Sequence, residues 1–209
     1  MEIIDAKYII SSPSVAECPK PDRPEYAFIG RSNVGKSSLI NMLCNKKDLA
    51  KVSNSPGKTQ LINHFNIISE TKKEWYLVDL PGYGYAKRSM ALRKTWQKMI
   101  AGYIKERQNL LNLFVLIDSR LAPQKLDLDF INQLGEWQVP FALVFTKADK
   151  STQREAAANV KNFLETMRKT WEFLPPHFVT SAVKHLGSKN ILKFIEASNL
   201  EFYKEQPSA

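Results

Sequence analysis

The chain has 209 residues, 44% hydrophobic and 24% charged, with 30 Lys and Arg against 21 Asp and Glu for a formal net charge of +9. That length suits one α/β domain with short extensions, and the composition is that of an ordinary soluble globular protein with a sizeable core. No apolar run approaches the roughly 18–20 residues of a membrane helix. Residues 1–10 carry Glu2 and Asp5 and lack the basic-then-apolar plan of a signal peptide, so the cytoplasm is the expected compartment. Cys18 and Cys44 have no metal-ligand spacing and are expected to be free thiols.

Residues 1–24 end in a stretch holding Pro13, Pro19, Pro21 and Pro24 and read as an irregular or extended lead-in. From Glu25 strands and helices alternate. Residues 26–29 form a short apolar strand and 36–44 a helix, while 46–59, polar and carrying Pro56 and Gly57, read as a mobile loop. Strands over 61–69 and 74–80 flank the polar turn Glu70-Thr71-Lys72-Lys73 and predict a hairpin. A second loop, 82–88, precedes a long helix over 89–107 and an apolar strand over 111–117. Pro123 suits the first turn of the next helix. A buried-type strand over 139–145 follows, then a helix from the capping box Thr152 and Glu155 to about residue 169. A short strand over 178–180 and a helix over 188–204 close the chain. Continuous apolar strands between helices imply a parallel sheet covered on both faces. With the hairpin added, the expected architecture is a mostly parallel six-stranded sheet with one antiparallel strand.

The stretch Gly30-Arg31-Ser32-Asn33-Val34-Gly35-Lys36-Ser37 matches G-x-x-x-x-G-K-[ST] between a predicted strand and a predicted helix, the context that motif requires. Its glycines let backbone N–H groups converge on a β-phosphate, and the helix start adds its positive dipole end. Lys36 is expected to bridge β- and γ-phosphates and the Ser37 hydroxyl to ligate Mg²⁺. Asp79-Leu80-Pro81-Gly82 ends the third strand; Asp79 can hold Mg²⁺ through its water shell, and the Gly82 N–H can reach a γ-phosphate. Thr59 is the candidate for a second hydroxyl ligand to the metal.

The base is read from Thr146-Lys147-Ala148-Asp149 at the carboxyl end of a strand, where ligands of such sheets bind. A carboxylate accepting from guanine N1–H and N2–H₂ discriminates against adenine, which lacks that donor pair. The Lys147 stem can cover the base, and in Thr180-Ser181-Ala182 the Ala182 N–H can donate to guanine O6.

With these residues in place the chain resembles the translation-factor class of GTPases, and within it the EngB (YihA/YsxC) family of bacterial ribosome-biogenesis GTP-binding proteins, among the TrmE-Era-EngA-EngB-septin-like enzymes. The resemblance spans nearly the whole chain. It is carried by the cradle extended through Ser38-Leu39-Ile40-Asn41, by Ser55-Pro56-Gly57-Lys58-Thr59-Gln60-Leu61-Ile62-Asn63, and by Asp79-Leu80-Pro81-Gly82-Tyr83-Gly84-Tyr85-Ala86-Lys87. It implies a Ras-like P-loop fold, GTP with Mg²⁺, and a role in large ribosomal subunit assembly, with members needed for normal septation and division. It also implies nucleotide contacts along Gly30, Arg31, Ser32, Asn33, Val34, Gly35, Lys36, Ser37 and Ser38, then Gly57, Lys58, Thr59, Gln60 and Leu61. Asp79, Leu80, Pro81 and Gly82, the Thr146 to Asp149 run, and Thr180, Ser181 and Ala182 complete the set. Lys36, Thr59 and Gly82 are the candidate catalytic groups; Ser37, Thr59 and Asp79 are the candidate metal ligands. On this reading residues 1–24 are an extension, 25–205 the GTPase domain and 206–209 a tail.

Two departures from the wider GTPase pattern stand out. Thr146 replaces the usual Asn, which predicts a weaker brace between cradle and base. Tyr83 stands where Ras-type enzymes carry a water-orienting Gln, which predicts slow intrinsic turnover. Asn33 is either a holder of a potassium ion or a turn residue only. Tyr83 and Tyr85 are either an exposed aromatic contact or packing. His64, His177 and His185 have no cluster spacing and are assigned no catalytic role.

Residues 87–107 hold Lys87, Arg88, Arg93, Lys94, Lys98, Lys105 and Arg107 against Glu106, seven minus one for +6. At about 100° per residue Trp96, Ile100 and Tyr103 face the core, and Lys94, Lys98 and Lys105 lie together opposite. This basic face is either a contact for the large ribosomal subunit or its rRNA, or an ordinary solvated surface. No membrane partner is expected, and a monomer is. Two rival readings are a P-loop kinase or ATPase, against which the guanine motif argues, and a nucleotide-regulated RNA-binding scaffold with negligible hydrolysis.

Overall fold

The computed structural model describes residues 1–51, 61–84 and 90–205. Among them seven strands and five α-helices follow in order: β1 Ile3–Ser12, β2 Glu25–Gly30, α1 Lys36–Leu43, β3 Ile62–Ser69, β4 Glu74–Asp79, α2 Met90–Glu106, β5 Leu110–Asp118, α3 Lys125–Glu136, β6 Phe141–Thr146, α4 Gln153–Met167, β7 His177–Val179 and α5 Ser188–Glu205. One sheet forms in the order β1-β3-β4-β2-β5-β6-β7, and β3 alone runs against the other strands. The α/β fold and its single antiparallel strand are as the sequence predicts.

The sheet has a seventh strand beyond the expected six. Residues read as a lead-in form β1, paired with β3 from Ile3↔Ser69 to Ser12↔Ile62. The pairing shifts register between Ile3 and Asp5 and between Tyr8 and Ile10. An extra residue at each shift breaks the two-residue alternation, so Ile3-Ile4 and Ile9-Ile10 do not look like a strand in the sequence. Two smaller corrections concern proline. Gln124 rather than Pro123 stands at the N-terminal cap of α3, which opens at Lys125. β6 begins at Phe141, because Pro140 lacks the N–H a ladder needs while its carbonyl still accepts from Leu113 at 2.9 Å.

Period-two geometry divides the core between the two faces of the sheet. Tyr26 and Phe28 of β2, Phe114 and Leu116 of β5, and Val144 of β6 pack against Leu39, Ile40 and Leu43 of α1 and Ile191 and Ile195 of α5. Their sequence neighbours Ala27, Ile29, Leu113, Val115, Leu143 and Phe145 meet Ile100, Tyr103 and Ile104 of α2, Ile131 and Leu134 of α3, and Phe163 of α4. Each central strand is therefore apolar at consecutive positions. The capping box on α4 forms as predicted, with Thr152 accepting from the Glu155 N–H and Glu155 from the Thr152 N–H. Both cysteines are free. Among the described residues no helix is long and apolar enough to cross a membrane.

At the pole opposite the strands' carboxyl ends, Glu25 is fully buried. It accepts from Arg107 Nε at 2.9 Å and Nη2 at 2.8 Å, and from the Tyr103 hydroxyl. His64, also fully buried, sets Nε2 3.4 Å from the same carboxylate. This cluster joins β2, β3 and α2. Arg107 therefore leaves the surface charge on which the sequence count had placed it. Burial alone would raise the Glu25 carboxyl, but the facing His64 and Arg107 hold it down to about 2.

Removing one partner of a buried pair strands the other's charge, so Glu25→Gln is expected to cost about 3–5 kcal/mol of stability in a urea titration. A glutamate ionises near about 4.3 in the unfolded chain. The stability from Glu25 is thus full above that pH and is lost as pH falls toward about 2. The variant should show a shallower loss across this window.

Candidate nucleotide site

Between β2 and α1 the chain curls through residues 31–35. Asn33 and Gly35 both take left-handed backbone, at φ 63° and 102°. Asn tolerates that region and glycine enters it without penalty, so the turn tightens just before α1, where unpaired N–H groups point outward. Val34 is buried beneath the turn, its N–H bonded to the Arg31 carbonyl at 3.2 Å. The result is a concave cradle of backbone donors at a helix N-terminus.

Lys36, in the first turn of α1, reaches across to the Asp79 carboxylate at the end of β4, and both side chains are largely buried. Burial pushes the Lys36 ammonium below the usual lysine range, to about 7. Leu80 is buried and bonds the Phe28 carbonyl at 3.0 Å, which runs the strand's end alongside the cradle. A Cβ at Gly82 would fall 2.7 Å from the Gly30 carbonyl oxygen, so only glycine lets this segment lie so close. Tyr83 then bridges Arg31 in parallel fashion. Its ring stacks on Phe130 and its hydroxyl donates to Asp127, which makes it packing rather than an exposed contact.

The carboxyl end of β6 is bonded into the same cradle. The Thr146 hydroxyl, buried, donates to the Val34 carbonyl at 2.6 Å, with the Ile117 carbonyl at 3.2 Å. The brace between cradle and base run is made by this short hydroxyl. Lys147, in left-handed backbone at φ 60°, donates from Nζ to the Asn33 carbonyl and to Asp118 Oδ2 at 2.9 Å. Burial would raise the Asp118 carboxyl, but bonds from Arg120 and Lys147 hold it at about 2. The Ala148 N–H bonds the Thr180 carbonyl at 3.1 Å, which sets the end of β7 beside residues 146–149. There Ser181 donates to Asp149 Oδ1 at 2.7 Å and lowers that carboxyl below its usual range. Ala182 follows, half-buried.

The cradle, Asp79, Gly82, the 146–149 run and Ser181 thus lie along one rim at the strands' carboxyl ends. Ser32 sits in the cradle turn, Ser37 and Ser38 in the first turn of α1 and Pro81 between Leu80 and Gly82, and Leu61 precedes β3. Gly57, Lys58, Thr59 and Gln60 lie outside the described residues, as do Tyr85, Lys87 and Arg88. Asp118, Arg120 and Asp127 were not singled out in the sequence. The rule that functional groups gather at strand carboxyl ends would have flagged Asp118, the last residue of β5. Asp127 carried no such signal.

Ser37 and Asp79 together offer a hydroxyl and a carboxylate, hard oxygen donors suited to Mg²⁺. Among the described residues no group of three or more His, Cys, Asp or Glu could cage a metal. A cation sharing its shell with phosphate oxygens and water fits that donor set.

A family model described as 50S ribosome-binding GTPase matches residues 25–147. The EngB GTP-binding protein of Phocaeicola vulgatus is 54% identical over 199 residues, covering 95% of this chain and 98% of its own. The chain belongs to the EngB family of GTP-binding proteins. GTPase activity comes with that membership. The EngB protein of Flavobacterium psychrophilum is 52% identical over 206 residues, 98% of each chain. For the fold alone, a crystal structure of another EngB protein superposes with a TM-score of 0.62 at 22% identity, covering 85% of this chain and 99% of that one. Era in complex with MgGDPNP and a fragment of 16S ribosomal RNA gives 0.66 at 22% identity, covering 89% of this chain and 57% of that one.

In this EngB protein the described side chains of the helix after the second loop have the two-sided character read from its sequence, with that of Trp96 outside the described residues. Ile100 and Tyr103 are buried, while Lys94, Lys98 and Lys105 are exposed. The Lys105 ammonium lies 4.5 Å above the Trp137 ring, so it also packs α2 against the end of α3.

Thr146→Val leaves the Val34 carbonyl without its donor and should weaken GDP binding about tenfold. Thr146→Ser, which restores the hydroxyl, should bind nearly as the wild type does in the same fluorescent-GDP titration.

Proposed function

We propose that this EngB GTPase is a nucleotide-controlled switch in assembly of the large ribosomal subunit. It works as a cytoplasmic monomer on which normal septation and division depend. One observation supports the reading most: the Thr146–Val34 and Lys147–Asn33 bonds hold the phosphate cradle and Asp149 on one rim.

In this reading Lys36 leaves Asp79 for the β- and γ-phosphates when GTP arrives, and Asp79 becomes free to share a cation with Ser37. Ser37, Asp79 and Thr59 would hold the Mg²⁺, which neutralises charge on the phosphates. The Gly82 N–H would donate to the γ-phosphate. Asp149 would accept from guanine N1–H and N2–H₂, its orientation fixed by Ser181, while the Lys147 stem covers the base and the Ala182 N–H donates to O6. The Tyr83 hydroxyl is committed to Asp127, so it does not orient water, and slow intrinsic turnover follows. Asn33 suits its tight turn through its left-handed backbone. A potassium ion held there would instead make turnover faster in potassium than in sodium buffer.

The ribosomal partner is supported by the description of the matching family model as 50S ribosome-binding. The exposed Lys94 and Lys98 form a cationic surface suited to rRNA phosphates. Binding to large subunits should fall steeply with salt, and charge reversal at both lysines should weaken binding and flatten that dependence in a sedimentation assay.

Asp149→Asn reverses one hydrogen-bond direction and should move preference from guanine to xanthine nucleotides in competitive binding. Unchanged GTP affinity in that variant would remove Asp149 from the site.

A further inference from the structure

The short segment after Asp79 is held from two sides. On one side Gly82 lies against the Gly30 carbonyl and Tyr83 bridges Arg31, both of the cradle. On the other side it is fastened to α3. The Tyr83 ring stacks on Phe130 with 4.4 Å between centroids and 23° between planes. Its hydroxyl donates to Asp127 Oδ1 at 2.9 Å. One residue on, a methyl at Gly84 would lie 2.2 Å from Leu126 Cδ2, so the backbone there rests directly on α3.

Asp127 is itself no surface acid. It is 3% exposed, in the first turn of α3, and its second oxygen stands 3.9 Å from Arg31 Nη1. A hydrogen bond from a phenol to a buried carboxylate is charge-assisted and directional. Together with the ring stack it fixes the Tyr83 side chain, and with it the adjoining Gly82–Tyr83 peptide. The Gly82 N–H belongs to the preceding Pro81–Gly82 peptide, which is confined between the Leu80–Phe28 bond on one side and, on the other, the anchored Tyr83 and the Gly30 carbonyl against which Gly82 lies, so the anchor limits where that N–H points.

We propose that Tyr83 and Asp127 are positioning residues of the hydrolysis site, aiming the Gly82 N–H at the terminal phosphate and so coupling that phosphate to α3. The proposal rests on the reading above in which Gly82 faces the γ-phosphate. GDP lacks the group that Gly82 would meet, so the anchor contributes to GTP binding and not to GDP binding. An anchor of equal worth in both states would shift nothing. Coupling is also reciprocal: whatever holds α3 in this arrangement raises GTP affinity by the factor that GTP holds α3. A Tyr83 that merely fills space would behave differently, because Phe at that position keeps the stack on Phe130.

The test uses the full chain as wild type, Tyr83→Phe, Asp127→Ala and the double variant. Affinities for a non-hydrolysable GTP analogue and for GDP are measured with single-turnover hydrolysis and hydrogen exchange over residues 81–84 and 125–136. Tyr83→Phe should weaken the analogue and slow hydrolysis about tenfold each, with GDP affinity held within about twofold. Asp127→Ala should do the same, and the double variant should be no worse than either single one. In the wild type both segments should exchange more slowly with the analogue than with GDP, and Tyr83→Phe should abolish that difference in α3. Wild-type behaviour of Tyr83→Phe, or equal losses on both nucleotides, would overturn the proposal. If residues 81–84 of the wild type exchange alike in both states, the reading of Gly82 falls and takes the proposal with it. That failure is visible without any variant. Should Asp127→Ala not fold, Tyr83→Phe alone decides.

Discussion

The site depends on a pair of bonds from the end of one strand to the backbone of a distant turn. The Thr146 hydroxyl donates a hydrogen bond to the Val34 carbonyl and the Lys147 ammonium one to the Asn33 carbonyl, 112 and 114 residues away in the chain. The cradle is a bare turn with two left-handed residues, and nothing within it would fix its tilt. Tied to β6, it shares a frame with Asp149, and the frame extends to β7 through the Ala148–Thr180 and Ser181–Asp149 bonds. The cradle and Asp149 are thereby parts of one bonded frame.

The sheet beneath supplies the stiffness. Its central strands bury both faces, with α1 and α5 on one side and α2, α3 and α4 on the other. At the far pole Glu25 and Arg107 pin the start of β2 to the end of α2. The elements along the rim at the strands' carboxyl ends are held differently. Lys36 and Asp79 neutralise each other in a largely buried pair, an arrangement that a triphosphate and a cation can exchange for new partners. The post-Gly82 segment lies between cradle and α3 with contacts on both. A stiff base with exchangeable ionic contacts at its rim is what the proposed nucleotide switch needs.

Much of this was legible in the sequence, for identifiable reasons. The cradle announces itself because glycine spacing, the lysine and the strand–helix context must coincide. The central strands announce themselves because double burial leaves consecutive apolar residues, as in Leu113 to Ile117. The Thr152 and Glu155 cap is a local interaction, readable from four residues. Where tertiary contacts decide, the sequence was silent or misleading. β1 hides behind its two register shifts. Nothing local says that the Thr146 hydroxyl reaches the Val34 carbonyl. Arg107 counted as surface charge until Glu25 claimed it. Tyr83 was open between exposure and packing, and only Asp127 and Phe130 on α3 settle it.

The most direct test follows backbone amides during a titration with GDP. Residues 32–37 of the cradle, 147–149 after β6, and Ser181 with Ala182 after β7 should all shift along one binding curve, with a single dissociation constant. ADP at the same concentrations should leave the last two groups where they were. If GDP moves the cradle amides while those of Asp149 and Ser181 stay still, the phosphate and base sites are not one cleft, and the account fails.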